Sequence, residues 1–280
     1  ISHKFDEIFE ICDRYTVFRD GQFVGSGEIR DVTQDDLVAM MVGRTVKQIY
    51  PKIEAEIGET VMSVEGLSHP TEFADINFHL RRGEILGFYG LVGAGRSEVM
   101  QALFGLTPTS AGSMRLNDKP FNPRTPGDAV DQGLVYVPED RQHQGAILTL
   151  PIFQNITLPQ LGGLSRSGFI DMAREYDVAR QYATRLQLKA ASLSENVENL
   201  SGGNQQKVVI GKWLATNPNV IIVDEPTKGI DIGSKAAVHK FMGELVAQGL
   251  SVIMVSSELP EVMGMSDRII VMHEGRIAAR

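Results

Sequence analysis

Apolar and polar positions along this chain change period repeatedly. Val220–Val223 and Ser251–Val255 are unbroken apolar runs bounded by turns, the pattern of parallel strands covered on both faces. Thr60–Leu67, Glu84–Tyr89 and Leu134–Val137 also read as strands. Between them the period lengthens. Asp171–Leu188 is amphipathic, Ser97–Phe104 opens a helix, and Lys235–Ala247 is a helix between two apolar runs. Gly203–Thr216 sets Val209, Ile210, Trp213 and Leu214 on one helical stripe. The alternation predicts α/β architecture.

The pattern also repeats. ISHKFDEIFEICDRYTVFRDGQFV lies over VSSELPEVMGMSDRIIVMHEGRIA without a gap, offset by 254 residues. Ser2, Glu7, Asp13, Arg14, Val17 and Gly21 match Ser256, Glu261, Asp267, Arg268, Val271 and Gly275. Each copy reads as a strand end, a short helix, a strand and a glycine turn. The first copy runs on into TQDDLVAMMVGR, an acidic-capped helix pattern. The predicted organisation is therefore the tail of one domain over 1–46, a charged linker over 47–59, and a homologous second domain over 60–280. Both ends look cut, as in a piece of a longer chain.

Three motifs carry chemistry. After the strand Glu84–Tyr89 come Gly90, Leu91, Val92, Gly93, Ala94, Gly95, Arg96, Ser97 and Glu98. The glycine spacing is that of a phosphate loop entering a helix, where bare backbone N–H groups wrap phosphates and the helix N-terminus adds positive potential. Ser97 is placed to ligate Mg²⁺. Arg96 stands where the motif has lysine, exchanging a compact point charge for a planar fork. Alone, such a turn is as readily structural. Further on, Ser201, Gly202, Gly203 and Asn204 open a helix, with Ser201 a candidate N-cap. Then Asn219–Val223 ends in Asp224, Glu225, Pro226 and Thr227. Two carboxylates at the carboxyl end of a buried strand sit where α/β sheets bind ligands. Asp224 is placed to hold Mg²⁺ through water, and Glu225 to orient or deprotonate an attacking water.

In this order, the phosphate loop, LSGGNQQ and VDEPT followed by Gly229-Ile230-Asp231 resemble an ATP-binding cassette (ABC) domain over essentially the whole chain. LSGGNQQKVVIGKWL, DEPTKGIDIGSK and VPEDR resemble, more narrowly, the tandem ATP-binding subunits of bacterial monosaccharide importers. The resemblance implies a P-loop NTPase fold: a mixed sheet core, an antiparallel β subdomain, and a helical signature subdomain over about 140–205. It implies ATP and Mg²⁺ as cofactors. It also implies a preceding cassette in the same polypeptide and transmembrane permease subunits as partners, with a sugar-binding protein acting indirectly. The location it implies is the cytoplasmic face of the bacterial inner membrane. In such proteins ATP lies between the phosphate loop of one cassette and the signature of the other. Ser201, Gly202, Gly203 and Asn204 would then serve the preceding cassette's nucleotide.

Three positions depart from that family. Arg96 replaces lysine. Glu139, in Val137-Pro138-Glu139-Asp140, replaces a glutamine that reaches Mg²⁺, so a carboxylate there would either ligate the ion or repel nucleotide. Ser257 replaces the switch histidine, which contacts the γ-phosphate and can carry charge. The repeat sets His3 of the first copy over Ser257 of the second. Losing such contacts slows hydrolysis by roughly a thousandfold, so weak binding and slow turnover are expected. Retained Glu225 argues for some activity. Phe73 and His69 are candidates to stack on adenine.

Composition narrows the alternatives. Of 280 residues, 42% are hydrophobic, enough for one good core, and the lone Cys12 excludes a disulfide framework. The net charge of −8 argues against nucleic acid, which demands a basic surface. No apolar run approaches the roughly 18 residues of a membrane helix. The competing readings are a non-hydrolysing nucleotide half-site and, less favoured by the charge, a soluble cassette acting on DNA or ribosomes.

Overall fold

The computed structural model describes residues 5–19, 21–42, 50–230 and 232–280; His3 and Asp231 lie outside them. Six strands form the central sheet, in the order Arg276–Ala279, Arg268–His273, Ile85–Tyr89, Ser251–Ser256, Val220–Asp224 and Leu134–Val137. All neighbours are parallel except the antiparallel edge pair Arg268–His273 with Arg276–Ala279. Every residue of Val220–Asp224 and Ser251–Ser256 is buried, as their unbroken apolar character requires.

A second, antiparallel sheet of four strands runs Ile76–Arg81, Thr60–Ser68, Ala111–Leu116 and Lys119–Pro120. One apolar cluster fills the space around this sheet, one face of the central sheet and the helix Arg96–Leu103, with Phe78, Phe88, Met100 and Leu103 among its buried members. A second cluster covers the opposite face under the helices Ile152–Thr157, Met172–Arg185, Gly202–Leu214 and Ile232–Ala247. Arg268 pins the two sheets: its guanidinium pairs with buried Glu84 and donates to the His79 carbonyl at 2.7 Å. The region around 140–205 is mostly helical and ends at the LSGG segment, completing a mixed α/β fold.

Most predicted elements fall where the pattern sets them, with ends displaced by one to three residues. The antiparallel sheet was legible only in Thr60–Leu67. Its other strands are short and half-buried, and pairing rather than period defines them. Residues 50–59 lie along the cassette: Lys52 pairs with Asp267 at 2.7 Å, and the Gly58 amide donates to the Arg82 carbonyl at 2.9 Å.

The repeat is structural as well. Helices Phe5–Ile11 and Leu259–Met265 coincide at the 254-residue offset, as do strands Arg14–Arg19 and Arg268–His273. Both hairpins carry a register shift at the same place, between Val17 and Phe18 and between Val271 and Met272. The continuation Gln34–Val42 is helical, opened by Thr33 and Asp36, whose side chains each accept from the other's amide.

Candidate functional site

The phosphate loop leaves the central strand Ile85–Tyr89 and enters the helix Arg96–Leu103. Leu91 and Val92 project into solvent, while Ala94, Gly95 and Arg96 are buried. Gly95 occupies the N-cap with φ +90°, and a Cβ there would lie 2.9 Å from the Gly275 Cα. A side chain is excluded both by the left-handed backbone and by that approach. The Gly275 amide donates to the Ala94 carbonyl at 3.0 Å, so the C-terminal hairpin holds the loop's shape. Gly93, at φ +82°, faces open space, as a loop that admits phosphate must.

Arg96 does not reach into the loop. Its Nη1 lies 3.3 Å from Glu225 Oε1, and the two side chains are only 6% and 7% exposed. That nitrogen is buried without a hydrogen-bond partner, so the contact is coulombic and imperfectly aligned. Glu225 follows the strand Val220–Asp224 with φ +47°, a left-handed conformation costly for a residue with a side chain. Its amide is held by the Val255 carbonyl at 2.8 Å. Burial raises the Glu225 carboxyl above its ordinary value, opposed by the Ser257 hydroxyl, which hydrogen-bonds to it, and by Arg96. Ser257 and Glu225, far apart in sequence, are therefore neighbours.

Asp224 is 1% exposed. Tyr136 Oη donates to its Oδ2 at 2.8 Å, while Oδ1 is buried and has no hydrogen-bond partner. Burial raises its carboxyl, with Ser97 and Tyr136 opposing. The chemistry of an orphaned carboxylate oxygen beside the Ser97 hydroxyl fits a hydrated Mg²⁺. Among the described residues no cluster of three or more His, Cys, Asp or Glu side chains suits a metal ion.

Glu139 was expected to add negative charge near the metal and phosphates, either ligating the ion or repelling nucleotide. Instead its carboxylate pairs with Lys228, whose ammonium it holds above its ordinary pKa. The two residues are 89 apart, and only the fold reveals the neutralisation. Arg141 was likewise missed. Its guanidinium donates to the Lys228 carbonyl at 2.7 Å and the Gly229 carbonyl at 3.2 Å. A Cβ on Gly202 would come within 2.8 Å of Arg141 Nη2, so the signature is seated on this arginine. Its presence in VPEDR, beside Glu139, was the available signal.

The signature opens the helix Gly202–Leu214. Ser201 stands at the N-cap but makes no capping hydrogen bond. Its Oγ instead accepts from Asn204 Nδ2 at 3.0 Å, while Asn204 Oδ1 accepts from the Lys189 amide. Among the described residues no hydrogen bond or ion pair joins Ser201–Asn204 to the phosphate loop. The fold thus gathers the loop, Asp224, Glu225, Ser257 and Glu139, and sets the signature apart. Phe73 is core, 3% exposed, and the His69 ring lies beside it, centroids 5.7 Å apart and tilted by 37°.

This fold and this set of loops define an ATP-binding cassette. The family model described as ABC transporter matches residues 73–228, and the chain belongs to that family. More particularly, it is 68% identical over its whole length to the ribose import ATP-binding protein RbsA 1 of Rhizobium meliloti (strain 1021), covering 56% of that protein. It is also 68% identical over 279 residues to the ribose import ATP-binding protein RbsA of Roseobacter denitrificans (strain ATCC 33942 / OCh 114), covering 55% of it. The chain spans about half the length of the curated relatives it matches. Among solved structures, a nucleotide-free ATP-binding cassette from an ABC transporter superposes with TM-score 0.67 at 20% identity, covering 79% of this chain and 90% of that one. A dimeric cassette in a post-hydrolysis state bound to ADP and Pi gives 0.66 at 20% identity, covering 78% and 97%. These two likenesses concern the fold. Among the described residues no helix is long and apolar enough to cross a membrane.

Proposed function

We propose that this chain is the second cassette of a tandem ATPase energising monosaccharide import, ribose by the names of its relatives, peripheral to the cytoplasmic face of the membrane. Its own phosphate site binds Mg-ATP weakly and turns it over slowly, and its signature completes the site of a preceding cassette. The observation that carries this reading is the buried Arg96–Glu225 pair. The residue that should meet the β- and γ-phosphates is spent on the residue that should activate water. A carboxylate so engaged is a poor base, and an arginine so engaged is a poor phosphate ligand.

The tandem organisation is supported by the hairpin repeat. In the C-terminal copy, Arg268–His273 lies parallel to Ile85–Tyr89. In the N-terminal copy, the matching Arg14–Arg19 has only its hairpin partner among the described residues. Ile85–Tyr89 is already paired on both edges, which supports a strand from another cassette beside Arg14–Arg19. Residues 1–46 are then the tail of that cassette and 47–59 the connection. The charge of the phosphates would be neutralised by Mg²⁺. Ser97 and Asp224 would hold it, Glu225 would orient water once released from Arg96, and Ser257 would hold Glu225. Gly90, Gly93 and Gly95 would cradle the phosphates. Permease subunits would meet the surface near 139–157, and a sugar-binding protein would act through them.

Phosphate release from Mg-ATP tests the reading, measured for this chain alone, for its Glu225→Gln variant, and after adding the preceding cassette. The expected result is at most slow turnover above the variant for the chain alone and a large gain on addition. Rapid turnover by the chain alone, rising with its concentration and abolished by Glu225→Gln, would show two copies forming competent sites and contradict the reading.

A further inference from the structure

The helix that follows the strand Ser251–Ser256 and Ser257 buries a carboxylate that phosphate chemistry does not use. Glu261, in Leu259–Met265, is 1% exposed. Its Oε1 accepts from Thr227 Oγ1 at 2.8 Å and lies 2.6 Å from His239 Nε2. The Ser256 hydroxyl hydrogen-bonds to the same carboxylate. These partners come from three elements. Thr227 follows Glu225 by two residues, in the loop after Val220–Asp224. Ser256 ends Ser251–Ser256 and immediately precedes Ser257. His239 belongs to Ile232–Ala247. One carboxylate therefore ties together the two loops that carry Glu225 and Ser257.

Burial alone would raise the Glu261 carboxyl. The hydrogen bond and charge of His239, with the Ser256 and Thr227 hydroxyls, outweigh it and leave the group below its ordinary value. An ionised carboxylate is acceptor-only and has a site for each donor. Removing its charge would weaken all three contacts together, because the group is buried and has no water to replace them.

The clamp has an outer end. The Tyr50 ring packs on the His239 ring at 5.2 Å between centroids, tilted by 41°. Tyr50 fits because Gly264 has no side chain: a Cβ there would sit 2.8 Å from the tyrosine's own Cβ. Two residues on, Lys52 donates to the Ser266 carbonyl at 2.7 Å, and Ile53 lies over Gly243. The segment entering the cassette is thus docked on the two helices that supply His239 and Glu261.

We propose that Glu261 is a positioning residue that holds the Glu225 and Ser257 loops in register, and that Tyr50, through His239, couples this clamp to the segment leading into the cassette. The claim deepens the nucleotide-site reading and rests on it for its functional meaning. A conformational change in whatever precedes Tyr50 would then be felt at the site.

The test uses the isotope-labelled full chain and follows the backbone amide resonances of Glu225 and Ser257. Both shift in Glu261→Gln and in Tyr50→Ala, and both return to their wild-type positions in Tyr50→Phe, which keeps the ring. Resonances unmoved in Tyr50→Ala overturn the coupling, and Tyr50→Ala decides it alone should Glu261→Gln fail to fold. A Mg-ATP titration of the same proteins adds a second readout: affinity falls about fivefold or more in Tyr50→Ala and recovers in Tyr50→Phe. Nucleotide bound with unchanged affinity in Tyr50→Ala also overturns the proposal. If the wild type takes up no Mg-ATP, the nucleotide-site reading fails, and the amide shifts alone decide whether the clamp exists.

Discussion

The two hairpins of this chain have the same shape and opposite surroundings. Arg14–Arg19 with Gln22–Glu28 and Arg268–His273 with Arg276–Ala279 share their register, down to the shift after the valine. Yet Phe18 is 62% exposed, and its counterpart Met272 is 1% exposed. Phe23 is 62% exposed, while its counterpart Ile277 packs on the core. Glu7 is exposed where Glu261 is buried. Local sequence dictates the hairpin, whereas a neighbouring parallel strand decides whether its apolar face is core. The exposed aromatic pair Phe18 and Phe23 on this hairpin supports the proposed preceding cassette as its cover.

The largest expected contrast is in stability. Met272→Ala should cost about 2–5 kcal/mol, as buried truncations do, and Phe18→Ala should stay within about 0.5 kcal/mol. Denaturant unfolding of both variants measures the difference. With the preceding cassette attached, Phe18→Ala should become costly. If it stays neutral there, the two copies are alike in shape only.

Next in size, Glu261→Gln should lose about 1–3 kcal/mol at neutral pH, the worth of hydrogen bonds to a buried charge. The Glu261 carboxyl is lowered on folding, so its stabilisation is present above the ordinary carboxylate pKa of about 4.3 and is lost as pH falls through the lowered value. The deficit of the variant should therefore shrink in acid. Asp224 and Glu225, raised by burial, run the other way: their contributions are present in acid and are lost as pH rises through the raised values. Unfolding curves across pH separate the two signs.

The smallest effect transplants chemistry from one copy to the other. Ser257→His supplies the histidine that the first copy carries as His3, and Arg96→Lys shortens the side chain that engages Glu225. Together they should tighten Mg-ATP binding about tenfold, roughly 1.4 kcal/mol, by calorimetry. An unchanged affinity would mean that neither departure limits the site.

These contrasts also show what a linear reading can reach. The strands Leu134–Val137 and Val220–Asp224 were legible because burial on both faces leaves an apolar run. Gly90, Gly95, Ser97 and Asp224 stood out as candidates because the phosphate-loop and acidic-strand patterns have fixed local spacings. The Arg96–Glu225 pair was not, since 129 residues separate its members and no local pattern joins them. The same holds for Lys228 on Glu139 and for Arg141 under Gly202. Substitution of a motif residue says that chemistry has changed; its new partner is known only once the strands are in register.

The central claim, that this half lends its signature while its own site is held by an internal ion pair, is tested most directly in the chain joined to its preceding cassette. ATP hydrolysis would be compared for Ser201→Arg, at an exposed signature position, and for Glu225→Gln. The account predicts that Ser201→Arg lowers hydrolysis at least about a hundredfold while Glu225→Gln leaves most of it. Hydrolysis abolished by Glu225→Gln and spared by Ser201→Arg would contradict it.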